Sequence, residues 1–204
     1  MNKALLVACG SFSPITYAHL RMFETARDSL IDIGYNVVKG IISPVSDHYG
    51  KKDLVAAEHR LEMCKLAVST SKWITTDDWE CSQDSHTLTV NVLEQFARRP
   101  QYADCQIYYL VGTDLAATFA DQTIWDPKHV QMLTSGPFKT IVIERHGAKL
   151  SKNYEFTMVK STVQNDISST KLRELVRAGK SIRYLTPCSV VNYVDTFSLW
   201  KTPM

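Results

Sequence analysis

Two short stretches hold residues whose types and spacing suit the grip of phosphate. The first is Cys9-Gly10-Ser11-Phe12-Ser13-Pro14-Ile15-Thr16-Tyr17-Ala18-His19. Gly10 lets the backbone turn sharply, Pro14 stiffens the loop, and a helix beginning close behind puts His19 in or near its first turn. The N–H groups that open a helix, together with the positive end of its dipole, form an anion site, with His19 beside it as a further donor. A plain strand–turn–helix corner with a half-buried histidine uses the same residues. The second stretch is Asp166-Ile167-Ser168-Ser169-Thr170-Lys171-Leu172-Arg173. If a helix starts at Ser168 or Ser169, Arg173 falls one turn beyond Ser169 and Thr170, so guanidinium, hydroxyls and helix N-terminus converge on one face, as a triphosphate requires. A capped helix with a surface arginine is the alternative.

These loops need a scaffold, and the chain's periodicity supplies one. Strands are expected at Leu5 to Cys9, Val37 to Ile42, Trp73 to Thr75, Gln106 to Val111 and Thr140 to Ile143. Helices are expected at Tyr17 to Ile33, Ala56 to Val68 and Thr87 to Arg98. This βαβα order predicts an α/β fold, a single Rossmann-like domain over residues 1–204 with a parallel sheet flanked by helices. Two C-terminal helices follow. One is capped by Ser168-Ser169-Thr170, striped by Leu172, Leu175 and Val176, and stopped at Gly179; the other has Pro187 at its first position and carries Val190, Val191, Val194 and Phe197. In such sheets ligands bind beyond the carboxyl ends of the strands, where both loops would lie.

Composition narrows the classes. The 204 residues are 45% hydrophobic and 22% charged, enough for one sizeable core and too apolar for a disordered chain. No apolar run approaches a membrane span, and Met1-Asn2-Lys3 leads into the strand-like Ala4 to Ala8 without a cleavage pattern, so a soluble, cytoplasmic protein is expected, with nuclear or organellar sites left open. Five scattered cysteines contain no Cys-x-x-Cys pair, which argues against a disulfide framework and a structural zinc site and for reduced thiols. The net charge of +2 hides a basic segment, Lys139 to Arg183, with ten Lys and Arg against four Asp and Glu. It could face phosphates or be a solvated surface. The eight glycines form neither G-x-x-x-x-G-K-[ST] nor G-x-G-x-x-G, so a P-loop phosphotransferase and an ordinary dehydrogenase are both disfavoured.

Together the loops say more. Gly10-Ser11-Phe12-x-Pro14 with His19, followed at a distance by Ile167-Ser168-x-Thr170-x-x-Arg173, resembles the paired signature of the nucleotidylyltransferase superfamily. Gly40-Ile41-Ile42-Ser43-Pro44-Val45, Ser71-Lys72-Trp73, Trp79-Glu80, Gly112-x-Asp114-Leu115, Trp125 and Ser181-Ile182-Arg183-Tyr184-Leu185-x-Pro187 resemble the eukaryotic nicotinamide/nicotinate mononucleotide adenylyltransferases, over nearly the whole chain.

The resemblance implies adenylyl transfer from ATP to nicotinamide or nicotinate mononucleotide, giving NAD or its acid form and pyrophosphate. An already ionised phosphate attacks, so no general base is needed and catalysis reduces to positioning and charge stabilisation. By resemblance Gly10, Ser11 and Phe12 line the floor where the phosphates meet, His19 donates to ATP phosphate, and Thr170 and Arg173 hold the β- and γ-phosphates with Ser168, Ser169 and Lys171 at the helix start. Gly112 and Asp114 match a ribose-binding pair, although Asp114 could equally cap a helix. Ser11, Phe12, Lys51, Thr87, Trp125 and Asn165 fall on the mononucleotide side, with Trp125 stacking on the flat pyridine ring; Lys51 and Lys52 are not distinguished, and a tryptophan near a loop also serves as a core or lid residue. Magnesium is implied as the nucleotide's own ion, with no protein-held metal site. No nucleic-acid or membrane partner is implied, and family members often form homo-oligomers.

The chain departs from the pattern at two places. Thr16 stands where many superfamily members have a first histidine, and Gln83-Asp84-Ser85-His86-Thr87 lacks the Trp-x-Glu that normally precedes that threonine, leaving His86 as a substitute ring face or an exposed loop histidine. Two alternatives stay open: an adenylyltransferase for another phosphorylated acceptor such as phosphopantetheine, and a non-catalytic nucleotide-binding protein.

Overall fold

The computed structural model describes residues 2–144, 150, 154–163 and 165–201. Strand β1 (Asn2–Gly10) leads through the first loop into helix α1 (Tyr17–Asp32), then come β2 (Tyr35–Pro44), α2 (Ala57–Val68), β3 (Ile74–Thr76), α3 (Thr89–Ala97) and β4 (Cys105–Gly112). A five-residue helix α4 (Thr113–Ala117), α5 (Pro127–Thr134), β5 (Lys139–Glu144), β6 (Thr157–Lys160), α6 (Ser169–Arg177) and α7 (Cys188–Thr196) complete the order. The six strands form one sheet in the order β3-β2-β1-β4-β5-β6, the α/β architecture expected from the sequence. β1 ends at Gly10 and β4 at Gly112, so two of the predicted motifs leave from carboxyl ends of strands.

The residues gather into two compact units, each assembled from separated stretches of chain. One comprises residues 1–9, 22–41 and 88–164. Its parallel strands are in register, Leu5 opposite Ile107, Leu110 opposite Ile141 and Ile143 opposite Val159. The runs Ala4–Ala8 and Ile107–Val111 are buried throughout, as strands covered on both faces must be. Phe23, Ala26 and Leu30 are the buried stripe of α1 in this unit.

The other unit comprises residues 10–21, 42–87 and 165–204. Here Ser168 caps α6, accepting from the Lys171 amide at 3.3 Å. Gly179, at φ +65°, ends the helix: its amide donates to the Val176 carbonyl and that of Lys180 to the Leu175 carbonyl, the paired bonds of a glycine stop. α7 packs on α2, and Ser189 Oγ donates to the Leu66 carbonyl at 3.1 Å.

The sequence-based boundaries need four corrections. Pro187 is the cap of α7, its ψ of 145° extended and its carbonyl accepting from Val190 and Val191, so the helix starts one residue later than expected. Phe197 lies past its end and is exposed, not part of a buried stripe. α3 starts at Thr89, because Leu88 is still extended with ψ 140° and leaves Thr87 outside. α5 and β6 were not anticipated. Of the basic segment, Arg145, Lys149 and Lys152 lie outside the described residues.

Candidate active site

The loop after β1 is held from within and from behind. A Cβ on residue 10 would meet the Phe12 ring carbons at 3.3 Å, so glycine here lets that ring lie over the turn. Phe12 itself takes φ +43° and is buried, its ring edge-on to His19 with centroids 5.2 Å apart. Thr16 caps α1: the Leu20 amide reaches its carbonyl at 3.3 Å and the His19 amide its Oγ1 at 3.4 Å. The Thr16 amide in turn donates to His19 Nδ1 at 3.0 Å. An amide can only donate, so Nδ1 is the acceptor and neutral His19 carries its proton on Nε2.

The second loop fastens the first. Ser169 Oγ donates to the Pro14 carbonyl at 2.8 Å, Arg173 Nη1 to the Ser13 carbonyl at 2.9 Å, and Thr186 Oγ1 to the Ile15 carbonyl at 2.7 Å. The Leu185 carbonyl accepts from the Tyr17 amide at 3.1 Å. Backbone groups of Ser13, Pro14, Ile15 and Tyr17, around a loop that sequence alone left open, are thus fixed from the C-terminal segment. Arg173 is not the surface residue of the bland alternative: it is 7% exposed, and its Nη2 also reaches Thr170 Oγ1 at 3.3 Å. Burial lowers its affinity for the proton, with Asp53 acting the other way. Among the described residues, Arg173 Nε and Ser13 Oγ are buried without a hydrogen-bond partner, polar capacity of the kind found at functional sites.

Arg60, which the sequence reading passed over, lies under the same loop. Its side chain is fully buried and makes three bonds: Nη1 to the Ser11 carbonyl at 3.3 Å, Nε to the Val55 carbonyl at 2.9 Å and Nη2 to Asp47 Oδ1 at 2.9 Å. A signal was present, because Arg60 falls on the stripe of α2 that buries Ala57, Met63 and Cys64. An arginine on an apolar stripe needs buried acceptors.

Several mononucleotide-side candidates belong to this unit. Lys51 and Lys52 are exposed, between Gly50 at φ +71° and Asp53 at φ +66°. Thr87 is half-buried. The preceding His86 is exposed, with its ring 5.3 Å from that of Tyr49, and Ser46 Oγ donates to the Ser85 carbonyl at 3.1 Å. Asn165 uses its carboxamide oxygen to accept from the Ile167 amide at 3.2 Å, shaping the entry to α6. Trp79-Glu80 contributes a buried carboxylate that accepts from Ser43 Oγ at 2.5 Å.

Gly112, Asp114 and Trp125 belong to the other unit. Gly112 caps α4 and Asp114 is an exposed residue of its first turn, so the helix-cap alternative for Asp114 does not hold. Thr113 between them is buried and donates to the Ile143 carbonyl at 3.1 Å. Trp125 is half-buried, its ring against Phe119 with centroids 4.7 Å apart and its Nε1 donating to Thr118 Oγ1 at 3.0 Å.

The model of the cytidylyltransferase-like family matches residues 7–175, from the first loop's strand to the last turn of α6. A nicotinamide/nicotinic acid mononucleotide adenylyltransferase of Arabidopsis thaliana is 36% identical over 213 residues, spanning 96% of this chain and 89% of the plant protein. The chain belongs to this adenylyltransferase family. Its relatives of the same name in Schizosaccharomyces pombe and Saccharomyces cerevisiae are 39% and 37% identical, and the chain spans 60% and 56% of their lengths. The fold agrees with that of the Plasmodium falciparum nicotinic acid mononucleotide adenylyltransferase complexed with NaAD, at a TM-score of 0.74, 20% identity and 97% coverage of each chain. In this chain the phosphate-loop candidates His19, Thr170 and Arg173 fall in one unit together with Gly10, Ser11, Phe12, Ser168, Ser169 and Lys171.

Proposed function

We propose that this chain transfers the adenylyl group of ATP to a pyridine mononucleotide, nicotinamide or nicotinate, forming a dinucleotide and pyrophosphate in NAD biosynthesis. The mononucleotide phosphate oxygen attacks the α-phosphorus; the new P–O bond forms as the bond to the β-phosphate oxygen breaks, and pyrophosphate leaves with the electron pair. ATP enters as its magnesium complex, the ion belonging to the substrate.

The observation that carries this reading is the fastening of the Ser13–Ile15 carbonyls by Arg173, Ser169 and Thr186. These bonds hold the floor loop rigid beside two helix N-termini, so donors need not reorganise as charge develops on the phosphates. His19 offers its Nε2–H to the triphosphate, while Thr170 and the buried Arg173 hold the β- and γ-phosphates. Gly112 and Asp114 serve the ribose. Lys51, Thr87, Trp125 and Asn165 serve the mononucleotide.

Pyrophosphate release is the direct test, measured with ATP, Mg²⁺ and a panel of nicotinamide mononucleotide, nicotinate mononucleotide and phosphopantetheine. The expected result is release only with a pyridine mononucleotide, abolished by EDTA and restored by excess Mg²⁺. Release with phosphopantetheine alone would overturn the assignment.

A further inference from the structure

The segment carrying Lys51 and Lys52 is fastened at both ends by ion pairs, and the two arginines that fasten it come from different helices. At its start, Asp47 Oδ1 pairs with Arg60 Nη2 of α2 at 2.9 Å. At its end, Asp53 Oδ1 pairs with Arg177 Nη2 in the last turn of α6 at 2.9 Å. The Asp53 carbonyl also accepts from Trp200 Nε1 at 3.3 Å. Gly50 and Asp53 both take positive φ, so the backbone reverses on either side of the lysines and pushes them outward as a short exposed tongue.

We propose that the Asp53–Arg177 pair is a latch that positions the Lys51–Lys52 tongue for the incoming mononucleotide phosphate; this rests on the adenylyl transfer proposed above. Two consequences of the geometry support it. Asp53 is the carboxylate nearest in sequence to the two lysines, and an unengaged Asp53 would compete with phosphate for their ammonium groups. Pairing with Arg177 occupies it. Second, Arg177 stands on the same nine-residue helix as Thr170 and Arg173, and the charge of Asp53 is felt at Arg173. One rigid element therefore carries both the triphosphate-side donors and the anchor of the acceptor-side tongue. An isolated pair with side chains 36% and 40% exposed adds little to stability, so its effect should appear in binding of the acceptor.

The test is Arg177→Gln, Asp53→Asn and the double variant, assayed for kcat and for KM of each substrate, with amide hydrogen exchange of residues 50–55 in the ligand-free protein. The expected outcome is a rise of about fivefold in KM for the mononucleotide in each single variant, the size set by one partly exposed ion pair. KM for ATP and the melting temperature should stay near wild type. The double variant should be no worse than either single, and exchange across the tongue should quicken in all three. Equal rises in both KM values, a fall in kcat alone, or additive effects in the double variant would overturn the latch. If the wild type turned over no pyridine mononucleotide, the proposed activity would fail, and the latch would then be judged on exchange alone: unchanged protection of residues 50–55 would reject it.

Discussion

Thr16 and His19 cap each other across the first turn of α1: the Thr16 amide donates to His19 Nδ1, and the His19 amide returns a bond to Thr16 Oγ1. This is the reciprocal arrangement of a capping box, with an imidazole in the place usually held by a glutamate. The threonine that replaces a first histidine therefore has a task of its own. It orients the second.

Thr16→Val keeps the shape and removes the hydroxyl. The expected loss is about 1 kcal/mol of stability from the cap and about a tenfold drop in kcat from the misaimed ring. Thr16→Ser should restore both. Calorimetry beside steady-state kinetics decides the matter, since a stability loss at unchanged kcat would reduce His19 to a helix cap.

Arg173 is bonded to the loop it serves, so it bears on both turnover and stability. Arg173→Ala should lower kcat by about a hundredfold and cost about 1–3 kcal/mol by leaving the buried Ser13 carbonyl unpaired. Arg173→Lys keeps the charge but cannot reach Ser13 and Thr170 together, so turnover should stay low while part of the stability returns. Near-normal kcat in Arg173→Ala with a lowered melting temperature would make the residue purely structural.

Trp125 packs against Phe119 at an interplanar angle of 55° and donates its Nε1 to Thr118, so the ring is held at a fixed angle. Trp125→Ala should raise KM for the mononucleotide well above any change for ATP, by the roughly 0.5–1.5 kcal/mol of an aromatic contact. Trp125→Phe, which keeps the stack and loses the indole bond, should fall between. Parallel rises in both KM values would remove the tryptophan from the pyridine side.

The thiols give a test independent of activity. Burial pushes the Cys64 thiol far up, whereas Cys188 is exposed. A thiol reagent should modify Cys188 first and Cys64 only on unfolding. The folded state keeps the Cys64 proton where the unfolded chain releases it, so stability should fall as pH rises above about 8.5, at up to about 1.4 kcal/mol per unit. Denaturation of Cys64→Ala from pH 8 to 10 checks the sign: its pH slope should be shallower.

The sequence made legible whatever depended on neighbours along the chain. Ser168 and Gly179 delimit α6 because a cap needs a hydroxyl and a stop needs positive φ, both visible in residue type. Thr157–Lys160 escaped because only Val159 of its four residues is buried, leaving no alternation to see. The start of α5 was readable, since Asp126 accepts from Lys128 as a cap and Pro127 follows it, but the helix is only eight residues long. The burial of Arg60 was legible from its place on an apolar stripe, but its bond to the Ser11 carbonyl and that of Arg173 to the Ser13 carbonyl were not, because these acceptors lie 49 and 160 residues away.

The bonds that fasten Pro14, Ser13 and Ile15 close spans of 155, 160 and 171 residues. During synthesis the floor loop emerges long before the residues that fix it. A growing chain must therefore hold its phosphate loop unassembled until Ser169, Arg173 and Thr186 have left the ribosome. A nascent chain stalled before Ser169 can complete much of its sheet and still lack the floor for nucleotide.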